Sequence, residues 1–218
     1  MKGFHPHQTA KPTSVKVPTR GRVYETLRNA ILHGELAAGT SLGEAQIGER
    51  IGVSRTPVRE AFAELLNQGL LVEGARRQVV VADPSPELIA EIVLMRDALE
   101  PVIAREAAQR MDVSDVDQLR LVMIRARRAI DAGDVNAAMD CDDDFHLHVP
   151  RSVGLGLAAD AVQRFRGLTR LAVREAVTDS DALRTIANEH DAIIEALATG
   201  DGERAAEAMA AHLASAPY

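Results

Sequence analysis

The chain has 218 residues, 46% of them hydrophobic, with 25 Lys plus Arg against 32 Asp plus Glu and a net charge of -7. That balance excludes a disordered chain, and the absence of Trp, with aromatics at only 3% and Ala abundant, favours packed helices over a strand-rich sandwich. No apolar run reaches the ~20 residues needed to span a bilayer, the amino end lacks the apolar core of a secretory signal, and a lone Cys141 cannot close an intramolecular disulfide, so a cytoplasmic protein is expected.

Residues 1–18, with Pro6, Pro12 and Pro18 and no periodicity, read as a flexible arm. From Thr19 to His33 the spacing of Val23, Leu27, Ala30 and Ile31 is helical, and Gly34 is a natural stop. A short helix over 44–51 follows. The next, in "SRTPVREAFAELLNQG", has Ser54 as its N-cap, Pro57 in the first turn, where a missing N–H costs little, and Gly69 at its end. Two apolar runs, Leu70 to Val72 and Val79 to Val81, then signal a hairpin. Three helices and a hairpin over 19–82 make a winged helix-turn-helix.

"DPSPE" breaks the chain, and residues 83–86 are expected to form a hinge. Beyond it only helices are predicted, over about 86–111 with an interruption expected at Pro101, then 114–131, 134–149, 155–177, 180–199 and 202–215. The fold class is therefore mainly α, an N-terminal winged helix-turn-helix followed by an all-helical antiparallel bundle over 87–218.

Charge divides along the same line. Residues 1–82 carry 11 basic against 7 acidic side chains, whereas the remainder carries 14 against 25. A polyanion partner is thus allowed at the front and disfavoured at the back. In the third helix Val58, Ala61, Phe62 and Leu65 share one face at ~100° per residue, leaving Ser54, Arg55, Thr56 and Arg59 free. Hydroxyls at such positions suit phosphates, and a guanidinium suits the O6 and N7 edge of guanine. An amphipathic surface helix with solvated arginines is the plain alternative, weakened by the hairpin that follows.

"DCDDDFHLH", residues 140–148, raises the question of a metal. On a helical wheel starting at Val135, Asp142 and His146 fall within about 20° of the buried stripe, Asp140, Asp144 and His148 face solvent, and Asp143 lies at the edge. A carboxylate and an imidazole in an apolar stripe need compensation, from a cation or from each other. His190 lies on the stripe of Ile186, Ile193 and Leu197, and His212 lies beside Met209 and Leu213. Inward histidines on three helices, one paired with Asp142, turn the balance towards a metal site, because facing helices build such sites from these projections. Three imidazoles and one carboxylate suit zinc first, with nickel, manganese and cobalt as alternatives.

"GVSRTPVREA" within residues 23–72 resembles the DNA-binding domain of GntR-family transcriptional regulators, and "MRDALEPVIAREAA", "DDDFH", "NEHDAIIEALATGD" and "AAEAMAAHL" resemble the FCD effector domain of the FadR subgroup. The resemblance implies that Ser54, Arg55, Thr56 and Arg59 contact DNA and that Arg76 and Arg77 sit in a wing near the minor groove. It also implies that Asp142, His146, His190 and His212 are the metal ligands, the same four that the stripe selects. A small organic acid would bind beside the metal, with Arg96 either holding its carboxylate or serving as a structural ion-pair partner. Two departures are Ala45, where family members often carry Arg, and a wing "ARRQV" without the usual Gly.

The expected function is a transcriptional regulator, a repressor in the family's usual mode, acting as a homodimer on a palindromic double-stranded operator. Two other readings stand beside it: a metalloenzyme activating water, against which no further inward acid is placed as a general base, and a regulator for which the metal itself is the signal.

Overall fold

The computed structural model describes residues 20–75, 78–173 and 180–215. The expected arm at 1–18, the wing residues Arg76 and Arg77, and the end of the helix expected to reach 177 lie outside them. Three helices open the chain, α1 (Arg20–Leu32), α2 (Glu44–Ile51) and α3 (Arg55–Asn67), with β1 (Ser41–Leu42) between the first two and β2 (Leu71–Glu73) and β3 (Val79–Val81) after the third. The hairpin is as expected, but β1 is an addition. Ser41 pairs with Val80 and Leu42 with Val79, giving an antiparallel sheet of order β1-β3-β2. Two residues hold no alternation from which a strand can be read.

Val23, Leu27 and Ile31 of α1 meet Val58, Phe62 and Leu65 of α3 in the core of this head. The turn between α2 and α3 depends on two glycines. Gly52 takes a left-handed φ of 71°, and Gly48 packs so closely that a Cβ there would lie 2.8 Å from the Val53 carbonyl oxygen. A Gly48→Ala variant is therefore expected to lose about 1 to 3 kcal/mol of stability through overpacking. Urea unfolding checks this; a stability equal to wild type would mean the turn can open without cost.

The bundle follows as α4 (Pro86–Ala108), α5 (Val113–Asp131), α6 (Val135–Ser152), α7 (Gly156–Val173), α8 (Ser180–Thr199) and α9 (Gly202–Ser215). Helix α4 starts on the last residue of the expected hinge, Pro86, with the Ser85 hydroxyl accepting from the Leu88 N–H at 3.3 Å. The interruption expected at Pro101 is absent, and α4 runs through it. A single proline removes one N–H, whereas packing on the bundle core, by Leu99 before it and by Ile103, Ala104 and Ala107 after it, acts on both sides of the gap. Gly202 of α9 approaches so near that a Cβ would stand 2.9 Å from the Arg105 carbonyl oxygen of α4. Among the described residues, no helix is long and apolar enough to cross a membrane.

Head and bundle touch directly. Leu70 packs on Gly167 of α7, where a Cβ would come within 3.1 Å of its methyl, and Gly69 lies against Leu168. The Tyr24 hydroxyl of α1 accepts from Gln163 of α7 at 3.1 Å and donates to Gln68 at 2.8 Å.

Candidate metal centre and DNA-reading face

The four expected ligands converge. Asp142 and His146 come from consecutive turns of α6, His190 from α8 and His212 from α9, and one ligand atom from each lies within 4.8 Å of every other. His146 Nε2 is 3.1 Å from His212 Nε2 and 3.3 Å from His190 Nε2, and His190 Nε2 is 3.4 Å from Asp142 Oδ1. For metal–nitrogen bonds of 2.0–2.1 Å, the edge of a tetrahedron is roughly 3.3 Å, so these separations fit a single ion.

Hydrogen bonding makes the case chemically. His146 Nδ1 lies 2.5 Å from Glu100 Oε2 of α4, and His212 Nδ1 lies 2.9 Å from Glu189 Oε2 of α8. An ionised carboxylate only accepts, so each Nδ1 carries the proton and each Nε2 presents a bare lone pair. Two such lone pairs 3.1 Å apart repel rather than bond. A hydrogen on His190 Nε2 can serve only one of these acceptors, His146 at 3.3 Å, which leaves the His146–His212 contact unrelieved, and Asp142 Oδ1 is itself buried with no hydrogen bond. A divalent cation would supply the missing charge, and the donor set fits one.

Electrostatics agrees. Burial holds the His146 imidazole well below its ordinary pKa, assisted by Arg166, and burial takes His190 down to about 3 despite the opposing Asp142. Both are neutral near pH 7, the form that ligates. Burial pushes the Asp142 carboxyl up, but Arg166 and the surrounding imidazoles outweigh it and keep the group well below the usual carboxylate range.

Several residues of the site were not anticipated. Glu100 is an inward acid where none was expected; it is 2% exposed, and Arg96 donates to it from Nε at 2.6 Å. This places Arg96 in an ion pair behind His146 while it also lines the cavity beside the centre. Asp143, expected at the edge of α6, is buried, accepting from Arg166 Nε at 2.8 Å and Arg170 Nη1 at 3.0 Å, with Arg28 of α1 at 3.9 Å. Arg166 also pairs with Asp142, and Arg170 reaches Asp140 at 2.6 Å, which in turn lies 3.1 Å from His33 Nε2 at the end of α1. Asp140 and His148 are thus not simply solvated; His148 Nε2 lies 3.1 Å from the Asp115 carbonyl oxygen. The spacing Arg166 to Arg170, four apart on α7, was the available signal.

At the head, Val58, Ala61, Phe62 and Leu65 are buried, and Ser54, Arg55, Thr56 and Arg59 are all exposed at the start of α3. Ser54 occupies the N-cap position, yet its hydroxyl makes no bond to the helix.

Comparison with known proteins brings the two halves together. Residues 19–81 match the family described as "Bacterial regulatory proteins, gntR family", and residues 91–215 match the FCD domain. The chain is 29% identical over 196 residues to the HTH-type transcriptional repressor RspR of Escherichia coli, covering 90% of this chain and 86% of that protein. It is 30% identical to a probable D-xylose utilization operon transcriptional repressor of Paenarthrobacter nicotinovorans, covering 90% and 88%. The solved structure of E. coli McbR/YncC superposes with a TM-score of 0.79 at 20% identity, over 91% of this chain and 94% of that one, and shows the shared fold. These relatives are regulators rather than enzymes, which removes the metalloenzyme reading. The chain belongs to the GntR family of bacterial regulatory proteins, with an FCD domain as its C-terminal part, and is a DNA-binding transcriptional regulator.

Proposed function

We propose that the protein is a repressor whose grip on its operator is set by a small carboxylate bound beside a divalent ion, zinc in the first instance, held by Asp142, His146, His190 and His212. The observation that carries this reading is the convergence of bare imidazole nitrogens backed by Glu100 and Glu189. Charge supports an anionic ligand. Two carboxylates, Asp142 and Asp143, stand against three guanidiniums, Arg96, Arg166 and Arg170, in the lining of the cavity, with Glu100 paired to Arg96 from outside it. A dication added to that lining raises its positive charge further, which a carboxylate offsets.

Coupling to the head has a physical route. A carboxylate entering the cavity competes with Asp142 and Asp143 for Arg166 and Arg170, and Asp143 faces Arg28 of α1 while Asp140 faces His33. The ligand needs only to favour one placement of α1 over another. Relatives named as repressors support the sign of the response. Dimerisation is supported by Leu88, Met95 and Val102, which lie seven residues apart on α4 and are 40%, 47% and 49% exposed. Met95→Glu is expected to sediment as a monomer and to bind a palindromic operator more weakly; an unchanged dimer would move the interface elsewhere.

DNA contact is assigned to Ser54, Arg55, Thr56 and Arg59, with Arg76 and Arg77 from the wing. Arg59→Ala is expected to lose roughly 5- to 150-fold in discrimination between operator and mutated operator, the equivalent of 1 to 3 kcal/mol. Fluorescence anisotropy over a salt series measures it. Equal discrimination would remove Arg59 from the reading set, and an affinity indifferent to salt would remove the phosphate contacts altogether.

The whole reading is tested by titrating metal-free protein with zinc, with and without carboxylic acids, while following operator binding. Release only on adding acid supports it. Release by zinc alone would make the metal itself the signal.

A further inference from the structure

Resting on the carboxylate reading above, we infer that the acid this cavity takes is an alkyl or aryl monocarboxylate and not a polyhydroxylated acid. The cavity has a lining that is divided between charged and apolar groups. Its polar part is built on Asp142, His190 and His212, with Asp143, Thr169 and the guanidiniums of Arg96, Arg166 and Arg170 beside them. Its apolar part comes from α5 through Met123, Ala126 and Ile130, from α7 through Val173, one turn beyond Arg170, and from α8 through Ile186 and Leu183, one and two turns before His190. Four of these six, Met123, Ala126, Ile130 and Leu183, are 5% exposed or less, so that wall is formed from the bundle core itself.

A carboxylate has partners only at the polar end, which fixes the orientation of any ligand and sends its body towards α5 and α8. Among the described lining residues, the α5 and α8 walls at that end offer no hydroxyl, amide or charged group to a ligand. The Thr169 hydroxyl is on the polar side and already donates to the Phe165 carbonyl oxygen at 2.8 Å. A chain of hydroxyls would therefore be desolvated against methyl and thioether groups, each unpaired hydroxyl lowering affinity by about tenfold. Methylenes gain there instead, by about fourfold each while the wall lasts. Among the described lining residues charged groups stand only in the polar part, so a second carboxylate is disfavoured for the same reason as a hydroxyl.

Calorimetry of the full chain loaded with zinc tests this with butanoate, hexanoate, octanoate and benzoate against gluconate, which matches hexanoate in carbon number. Affinity is expected to climb about fourfold per methylene from butanoate to hexanoate, with a negative heat-capacity change that grows along the series. Gluconate is expected to bind at least tenfold more weakly than hexanoate. Gluconate binding as tightly as hexanoate, or a flat chain-length series, overturns the inference while leaving the carboxylate reading standing. Failure of all five acids on protein that metal analysis shows to hold zinc overturns the carboxylate reading, and this inference with it.

Discussion

His146→Ala is expected to abolish retention of a divalent ion. His146 Nε2 stands within 3.3 Å of both other imidazole nitrogens, so its loss removes the donor that the remaining ligands share as a neighbour. The variant should fall in zinc affinity by more than the roughly 10- to 100-fold that follows loss of a supporting partner. Glu100→Gln should fall within that range, because it weakens the support of His146 Nδ1 and the Arg96 ion pair but removes no ligand. Competition with a chromophoric chelator measures both. A wild-type chain that holds no ion under the same conditions, with the variants indistinguishable from it, would leave four converging side chains and no centre.

Asp143→Asn is expected to be strongly destabilising, by about 3 to 5 kcal/mol, because it leaves Arg166 and Arg170 buried with less than their compensating charge. These guanidiniums are 7% and 3% exposed, so water cannot replace the carboxylate. Chemical denaturation gives the magnitude. A second readout separates structure from coupling: hydrogen exchange in α1 should rise beyond that in α3, since Arg28 faces Asp143 from α1 alone. Uniform loss of protection across the head would mean that Asp143 only stabilises the bundle.

The reach of sequence reasoning follows the range of the forces involved. In α3 a single period separates Val58, Ala61, Phe62 and Leu65 from Arg55, Thr56 and Arg59, and both faces are where the period puts them. The convergence of Asp142, His146, His190 and His212 was legible for the same reason, since an inward polar residue on an apolar stripe declares itself within its own helix. Asp143 was not legible. Its position on α6 is intermediate, and it is buried because α7 brings two guanidiniums to it, a fact about another helix. Glu100 was hidden similarly, behind a proline that made α4 look broken. Strand β1 is too short to carry any pattern and exists only through its pairing with β3.

The continuity of α4 through Pro101 has a mechanical consequence. Twenty-three residues make a rod of about 34 Å, anchored at Glu100 behind His146 and joined to the head by only the few residues after Val81. A tilt of about 5° pivoting at Glu100 would sweep the Pro86 end through nearly 2 Å, at ~1.5 Å per residue of lever arm. Sub-ångström adjustments around the histidines would thus reach the head-proximal end of the rod magnified, with no break inside α4 to absorb them.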